Sequence, residues 1–249
     1  MDVQWDYTPL AESYLKRPEY SQIAFDKFIS ITETHSDMKC CDVGAGAAHL
    51  TLMLAKFGLN ITAIEPNEAM RLNGIKKTQG LSNIKWFEGT GELTGQKTDY
   101  FDRITFGSSF NVCNRAVTLI EAARILKNDG WFMCLWNHRN LSDPIQIEIE
   151  KIIKKAIPEY GYGTRRQDQT DIIRKSRLFS NIQEFSGAID HNQTILECIE
   201  AWRSHATLSR QSGAIFFSVI EDIKSFLETL KEPIIKVPYT TLGWVAQKI

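Results

Sequence analysis

Residues 42–49 read Asp42-Val43-Gly44-Ala45-Gly46-Ala47-Ala48-His49. A compact apolar run, Lys39–Val43, stops at two glycines that can adopt positive φ. A helix-period pattern (Leu50, Leu52, Met53, Leu54, Phe57) opens directly after them, and Gly58 closes it. The same rhythm continues outward. Asn60–Glu65 reads as a second strand, and Asn67 can cap a helix running through Gln79. Asn83–Glu88, Phe101–Ser108 and Trp131–Asn137 read as further strands. A helix over Ala116–Leu126 and an Asn128-Asp129-Gly130 turn precede the last of them. Near-continuous apolar strands alternating with helices predict a mostly parallel sheet covered on both faces. Right-handed crossovers then make it an α/β, doubly wound sheet.

After Asn137 the rhythm changes. Helices are predicted over Asp143–Ile157, Gln167–Lys175, Thr194–His205 and Ile215–Leu230, with strands at Ile182–Ile189 and Pro238–Lys248. The expected organisation is a single domain over 1–249. It comprises an N-terminal helical segment (1–38), a nucleotide-binding core (39–137), cap helices (138–180 and 190–232) and edge strands (181–189 and 235–249).

Composition narrows the function. Of 249 residues 43% are apolar, enough for a real core, and 29 basic against 30 acidic side chains leave a net charge of −1. That balance argues against a general nucleic-acid binder, whose affinity rests on clustered Lys and Arg. No apolar run approaches the ~18 residues of a membrane span, and no signal peptide is read at the N-terminus. The five cysteines include no C-x-x-C pair, and three lie in apolar strand-like runs as small core residues. No His/Cys/Asp/Glu spacing suits a metal. A reduced, cytoplasmic protein is expected.

The glycine turn points to a nucleoside ligand. Turn amides at a helix start can approach an anion or carboxylate. Glu65, nineteen residues past Gly46 at the end of the next strand, can accept both ribose hydroxyls. A dinucleotide fingerprint wants Gly or Ala where His49 stands. Asp42 beside the turn would repel phosphates and welcome an ammonium group, which favours S-adenosylmethionine over NAD.

With these motifs the sequence resembles the class I S-adenosylmethionine-dependent methyltransferases, with their Rossmann-like fold. Asp42–Gly46 matches the first motif of that family, with Ala48 in place of its third glycine. Ala63-Ile64-Glu65-Pro66-Asn67-Glu68-Ala69-Met70 matches the second, and Glu88-Gly89-Thr90-Gly91-Glu92-Leu93 resembles the adenine-binding segment. The resemblance implies a cofactor site of Asp42, Gly44, Ala45, Gly46, Glu65, Pro66, Met70, Thr90, Gly91 and Glu92. Met70 walls the adenine or is ordinary helix core. Ser108 and Ser109 follow strand four at the switch point of the sheet, where ligands gather; they line the cofactor or cap a turn.

A narrower likeness is to the small-molecule, trans-aconitate-like (type 11) group. Tyr14-Leu15-Lys16-Arg17-Pro18-Glu19-Tyr20 resembles its N-terminal segment, and Leu135-Trp136-Asn137-His138-Arg139 its strand-five ending. This implies substrate contacts at Tyr14, Arg17, Tyr20, Asn137 and Arg139. Asn111 and Asn114 after strand four are further candidates, though Ser109-Phe110-Asn111-Val112 stands where the group often has His-Trp. His138 is the candidate general base, its titration lying near neutrality, and His205 is a second histidine near the site. Lys151–Arg177 holds eight basic residues against three acidic ones. Within it Arg165 and Arg166 suit a carboxylate or phosphate. The expected activity is methyl transfer from S-adenosylmethionine to a small, anionic metabolite. Methylation of tRNA or protein, or binding without catalysis, are the alternatives.

Overall fold

The computed structural model describes Thr8, residues 11–15 and residues 17–249. Parts of the expected N-terminal segment, including Lys16, lie outside the described residues. The helices are α1 (Ala11–Tyr14), α2 (Gln22–Ile31), α3 (His49–Phe57), α4 (Glu68–Lys77), α5 (Arg115–Ile125), α6 (Pro144–Ala156), α7 (Thr170–Ser176), α8 (Ile195–Arg203), α9 (Ala206–Ser212) and α10 (Phe216–Glu228). The strands are β1 (Lys39–Val43), β2 (Asn60–Ile64), β3 (Ile84–Phe87), β4 (Phe101–Gly107), β5 (Leu126–Arg139), β6 (Phe179–Gln193) and β7 (Ile235–Lys248).

They form one seven-stranded sheet in the order β3-β2-β1-β4-β5-β7-β6. The first five strands are mutually parallel, and β7 runs antiparallel to both β5 and β6. Strand alternation sorts the apolar side chains onto two faces. Cys41, Val43, Phe132, Cys134, Trp136 and Trp244 pack beneath Leu119, Ala122 and Ile125 of α5 and Ile173 of α7. Cys40, Ile61, Ala63, Met133, Leu135 and Val245 pack against Phe25 and Phe28 of α2 and Leu50 and Leu54 of α3. All five cysteines are free, and Cys40, Cys41, Cys134 and Cys198 are buried.

A third apolar cluster builds the cap. Ile149 and Ile153 of α6, Ile199 and Trp202 of α8, Leu208 of α9 and Ile220, Ile223 and Leu227 of α10 meet Ile235, Val237 and Tyr239 of β7. Because β7 is antiparallel, its first residues lie at the carboxyl ends of the parallel strands. Beyond the Arg139↔Tyr239 pair it continues with β6 alone, from Asp190↔Pro238 to Gln193↔Ile235. This two-stranded extension carries the cap over the ligand edge of the sheet.

The structure corrects several expectations. β7 is flanked on both sides, so of the two C-terminal strands only β6 is an edge. The helix expected in 167–175 is α7, which contributes Ile173 to the core with Phe179 and Trp244 and is not part of the cap. The Lys127–Gly130 stretch is an irregularity inside β5, between the Phe101↔Leu126 and Arg103↔Trp131 pairs, with Asp129 at φ 62°. There Lys127 reaches Asp102 at 2.7 Å. The expected Thr194–His205 helix stops at Arg203, and α9 follows as a separate element capped by His205. Among the described residues no helix is long and apolar enough to cross a membrane.

One close approach is testable. The Ser21 hydroxyl, the N-cap of α2, donates to the Ala188 carbonyl at 2.9 Å. A Cβ at Gly187 would lie 2.5 Å from the Ala24 amide nitrogen and 2.6 Å from the Ser21 hydroxyl. Gly187→Ala should therefore push α2 off β6 and cost about 1–3 kcal/mol of stability by overpacking, read by urea unfolding.

Candidate active site

The turn after β1 is held from within. Gly44 and Ala45 donate their amides to the Ile64 carbonyl at 2.8 and 3.0 Å, and Gly46 donates to Glu65 Oε2 at 2.9 Å. These amides are not free to cradle a phosphate, which corrects the expectation that the turn offers them to an anion. Both glycines adopt positive φ, 67° and 54°. A Cβ on Gly44 would sit 2.4 Å from the Ser109 Cβ, and one on Gly46 3.2 Å from the Met70 methyl. The turn is therefore shaped for close approach. Ser109 fixes it further, donating to the Val43 carbonyl at 2.6 Å.

Asp42 is 1% exposed, and its carboxylate accepts from the Thr51 and Thr105 hydroxyls at 2.6 and 2.8 Å. Burial pushes its pKa up to about 6, with the two threonines pulling the other way. A buried carboxylate without a cation is costly, so the site favours a positively charged ligand. Glu65 accepts one backbone amide on each oxygen, from Gly46 and from Asn67. Burial raises its pKa against those bonds. Each oxygen keeps a second lone pair for a hydroxyl donor.

Asp42, Gly44, Ala45, Gly46, Leu50 and Gly107 line one cavity of about 290 Å³ together with Tyr14, Tyr20 and His49. Those last three residues also line a larger cleft of about 880 Å³, partly open to solvent. The two spaces thus share a neck. Tyr14 and His49 meet edge to face there, ring centroids 6.1 Å apart. The Tyr20 hydroxyl lies 2.9 Å from that of Ser108. Ser108 itself is held at φ 60°, a left-handed backbone at the end of β4.

The larger cleft gathers most of the residues expected to meet a substrate. Tyr14, Arg17, Tyr20, Asn111, Asn137, Arg139, Arg165 and His205 all line it, with Trp136 and Tyr239. Three guanidinium groups face it, and among the described residues no Asp or Glu does. Arg17 reaches Ser204 through Nε (3.3 Å) and its carbonyl through Nη2 (2.6 Å), and stacks 3.9 Å over Tyr14. Arg139 lies 4.0 Å over the Trp202 ring. Burial and the neighbouring Arg17, Arg139 and Arg166 push the Arg165 pKa down to about 10. Asn137 is occupied, donating to Glu19 and accepting from Thr241. It anchors the Pro18–Tyr20 segment. Asn111 accepts from the Trp136 indole at 2.7 Å.

Other expected residues stand elsewhere. His138 is not among the lining residues. It lies on the face of β5 that also carries Trp136, opposite Asn137 and Arg139. There it is buried, both ring nitrogens lack a hydrogen-bond partner, and burial followed by Arg166 and Arg165 pushes its pKa down to about 3. That placement removes it as the base. Asn114 caps α5, accepting from Val117, and its own amide donates to Glu92. Arg166 stands behind the cleft, donating to the Arg139 carbonyl at 2.9 Å and stacking 4.5 Å over Tyr162.

Met70 is buried with Ala11 and Ala47. Pro66 offers its carbonyl to Arg71. Thr90 and Gly91 form a tight loop, closed by the Leu93 amide on the Thr90 hydroxyl (3.1 Å) and by Cys113 against Gly91. The sequence pattern did not single out His49, Ser108 toward the acceptor side, or Tyr239. For His49 the signal was present: an imidazole at the first residue of the helix that follows the turn.

Comparison with known proteins bears on the same site. A model described as a methyltransferase domain matches residues 41–134. The ubiquinone/menaquinone biosynthesis C-methyltransferase UbiE of Zymomonas mobilis is 26% identical over 178 residues, 66% of this chain and 70% of that protein. The uncharacterized methyltransferase YcgJ of Bacillus subtilis is 25% identical over 179 residues, 70% of this chain and 64% of that protein. Its crystal structure superposes with a TM-score of 0.59 at 17% identity, over 90% of this chain and 97% of that one. Phosphoethanolamine N-methyltransferase 2 of Haemonchus contortus was solved with phosphomonomethylethanolamine and S-adenosylhomocysteine. It aligns at a TM-score of 0.54 and 14% identity over 90% of this chain and 52% of that one.

Residues 41–134 match a methyltransferase domain and the sheet has the class I methyltransferase fold; the chain is a methyltransferase, an enzyme that uses S-adenosylmethionine. Its residues fit that cofactor on their own terms. The close-approach turn, the buried Asp42 that seeks a cation and the Glu65 acceptor sites suit its amino acid and ribose. Asp42 yields a pH test. Below about pH 6 the free carboxylate is protonated and its charge is lost. S-adenosylmethionine affinity should fall roughly tenfold between pH 7.5 and pH 5. By calorimetry, Asp42→Asn should bind weakly at both.

Proposed function

We propose that this enzyme transfers the methyl group to a small, anionic metabolite held in the arginine-lined cleft. One observation carries the reading: a half-buried cleft with Arg17, Arg139 and Arg165 and, among the described residues, no carboxylate adjoins the glycine-turn cavity at Tyr14, Tyr20 and His49. None of these arginines, nor Arg166 behind them, makes an ion pair among the described residues. Guanidinium groups kept together against their mutual repulsion are matched by a ligand that brings negative charge.

When bound, S-adenosylmethionine supplies a methyl carried on a positive sulfur; the remaining work belongs to the chain. Asp42, the glycine turn and Glu65 hold the cofactor, with Ser108 and Ser109 shaping the cavity wall and Thr90, Gly91 and Glu92 on the adenine side. The arginines hold the acceptor by its anionic end and so orient its nucleophile toward the neck. Tyr14, Tyr20 and His49 close that neck to water. Positioning of this kind supplies ~7–11 kcal/mol, more than the 10²–10⁴-fold (roughly 3–5 kcal/mol) of a general base. The displacement of His138 from the cleft therefore costs the reading little.

A screen of phosphorylated, mono- and polycarboxylated and neutral metabolites, read by S-adenosylhomocysteine release, tests the acceptor class; turnover confined to neutral compounds would refute it. Arg165→Ala should raise the Michaelis constant for the anionic acceptor roughly tenfold to hundredfold, the worth of one charge-assisted hydrogen bond. Cofactor affinity should stay unchanged in the same variant, as measured by calorimetry.

A further inference from the structure

His205 marks where the acceptor's charge is read. It is 3% exposed, lines the cleft, and caps α9 by accepting the Leu208 amide on Nδ1 at 3.2 Å. Burial, followed by Arg165, Arg139 and Arg17, drives its pKa far below the ordinary histidine value, so the ring is neutral. A neutral imidazole that accepts on Nδ1 carries its proton on Nε2. That Nε2 is buried and has no hydrogen-bond partner among the described residues. The ring is clamped, tilted 5.2 Å over Trp202 and edge-on to Tyr162 at 6.4 Å, so the donor direction is fixed.

The donors around this corner come from separate elements. Arg139 ends β5, Arg165 sits on the short turn Gly163–Arg166, His205 begins α9, and Arg17 reaches in to Ser204 beside it. A single carboxylate is planar, is saturated by one guanidinium fork, and would neutralise one of three cations. A tetrahedral dianion offers oxygens in several directions and neutralises two.

We propose that this corner is a subsite for a dianionic tetrahedral oxyanion, a phosphate monoester, with the Nε2–H of His205 donating to it beside Arg165 and Arg139. The inference rests on the anionic-acceptor reading and narrows it: the methyl acceptor carries a phosphate-type group at the end remote from its nucleophile. His205 is then a specificity-determining residue. It adds a directional donor without a further charge, and leaving it unpaired is what disfavours a smaller or flatter anion.

Calorimetry on the full chain saturated with S-adenosylhomocysteine tests this, with inorganic phosphate, sulfate, acetate and succinate as probes at constant ionic strength. Phosphate and sulfate should bind at one per chain, each at least tenfold tighter than acetate or succinate. His205→Asn keeps an N-cap for α9 but cannot reach into the cleft. It should weaken phosphate about tenfold while the melting temperature and S-adenosylhomocysteine affinity hold. Arg165→Gln should weaken every anion. Succinate binding as tightly as phosphate would overturn the subsite and leave the anionic-acceptor reading standing. Absence of binding by all four anions would overturn both. Unchanged phosphate affinity in His205→Asn, with the fold intact, would remove His205 from the site.

Discussion

The pairing of β7 with two neighbours is the constraint on which the rest of the structure depends. Running against the other strands, β7 enters between β5 and β6 and begins at the carboxyl edge of the parallel sheet. Its first residues, Ile235, Val237 and Tyr239, form the floor on which α6, α8, α9 and α10 pack. Its pairing with the end of β5 sets Tyr239 opposite Arg139. A parallel strand in that place would begin at the far edge and leave the cap helices without an apolar support. The backbone hydrogen bonds of an antiparallel ladder thus decide where the arginines stand.

Two adjoining spaces make opposite electrostatic demands. On the glycine-turn side a buried Asp42 and a tied-down Glu65 leave negative charge that a cationic cofactor relieves. On the cap side the arginines line one cleft with no acidic partner in the lining among the described residues. Tyr14, Tyr20 and His49 stand where the two meet; burial holds Tyr20 protonated and pushes the His49 pKa down to about 3, so neither of these two carries charge there. A neutral neck keeps the field of each side from cancelling the other. Such preorganised charge acts more strongly in a half-buried cleft than in water.

Much of this was legible in the chain. Lys39–Val43 followed by Gly44 and Gly46 reads as strand and turn because apolar runs and positive-φ positions are local properties. Glu65 could be placed because a strand of fixed rise carries it to the same edge as the turn. Arg165 was recognisable as a residue suited to an anion, and Arg17 and Arg139 as substrate contacts implied by the family resemblance. Their convergence was not, since they lie 26 to 148 residues apart and meet only when β7 seats the cap. His138 was misjudged because its burial beside Arg166 and Arg165 comes from tertiary packing that strand period does not reveal: Trp136, on the same face of β5, does line the cleft. The turn amides were misjudged because their partners, the Ile64 carbonyl and Glu65, belong to the next strand.

The sequence by itself determined the doubly wound core, the glycine turn and the acidic residues beside it, because each follows from hydrophobic period and local backbone preference. Only the tertiary structure decided which residues at the end of β5 meet the ligand, that β7 lies inside the sheet, that α7 serves the core, and that three distant arginines and His205 share one cleft. Those outcomes depend on strand order and on the packing of elements far apart in the chain. No local pattern encodes them.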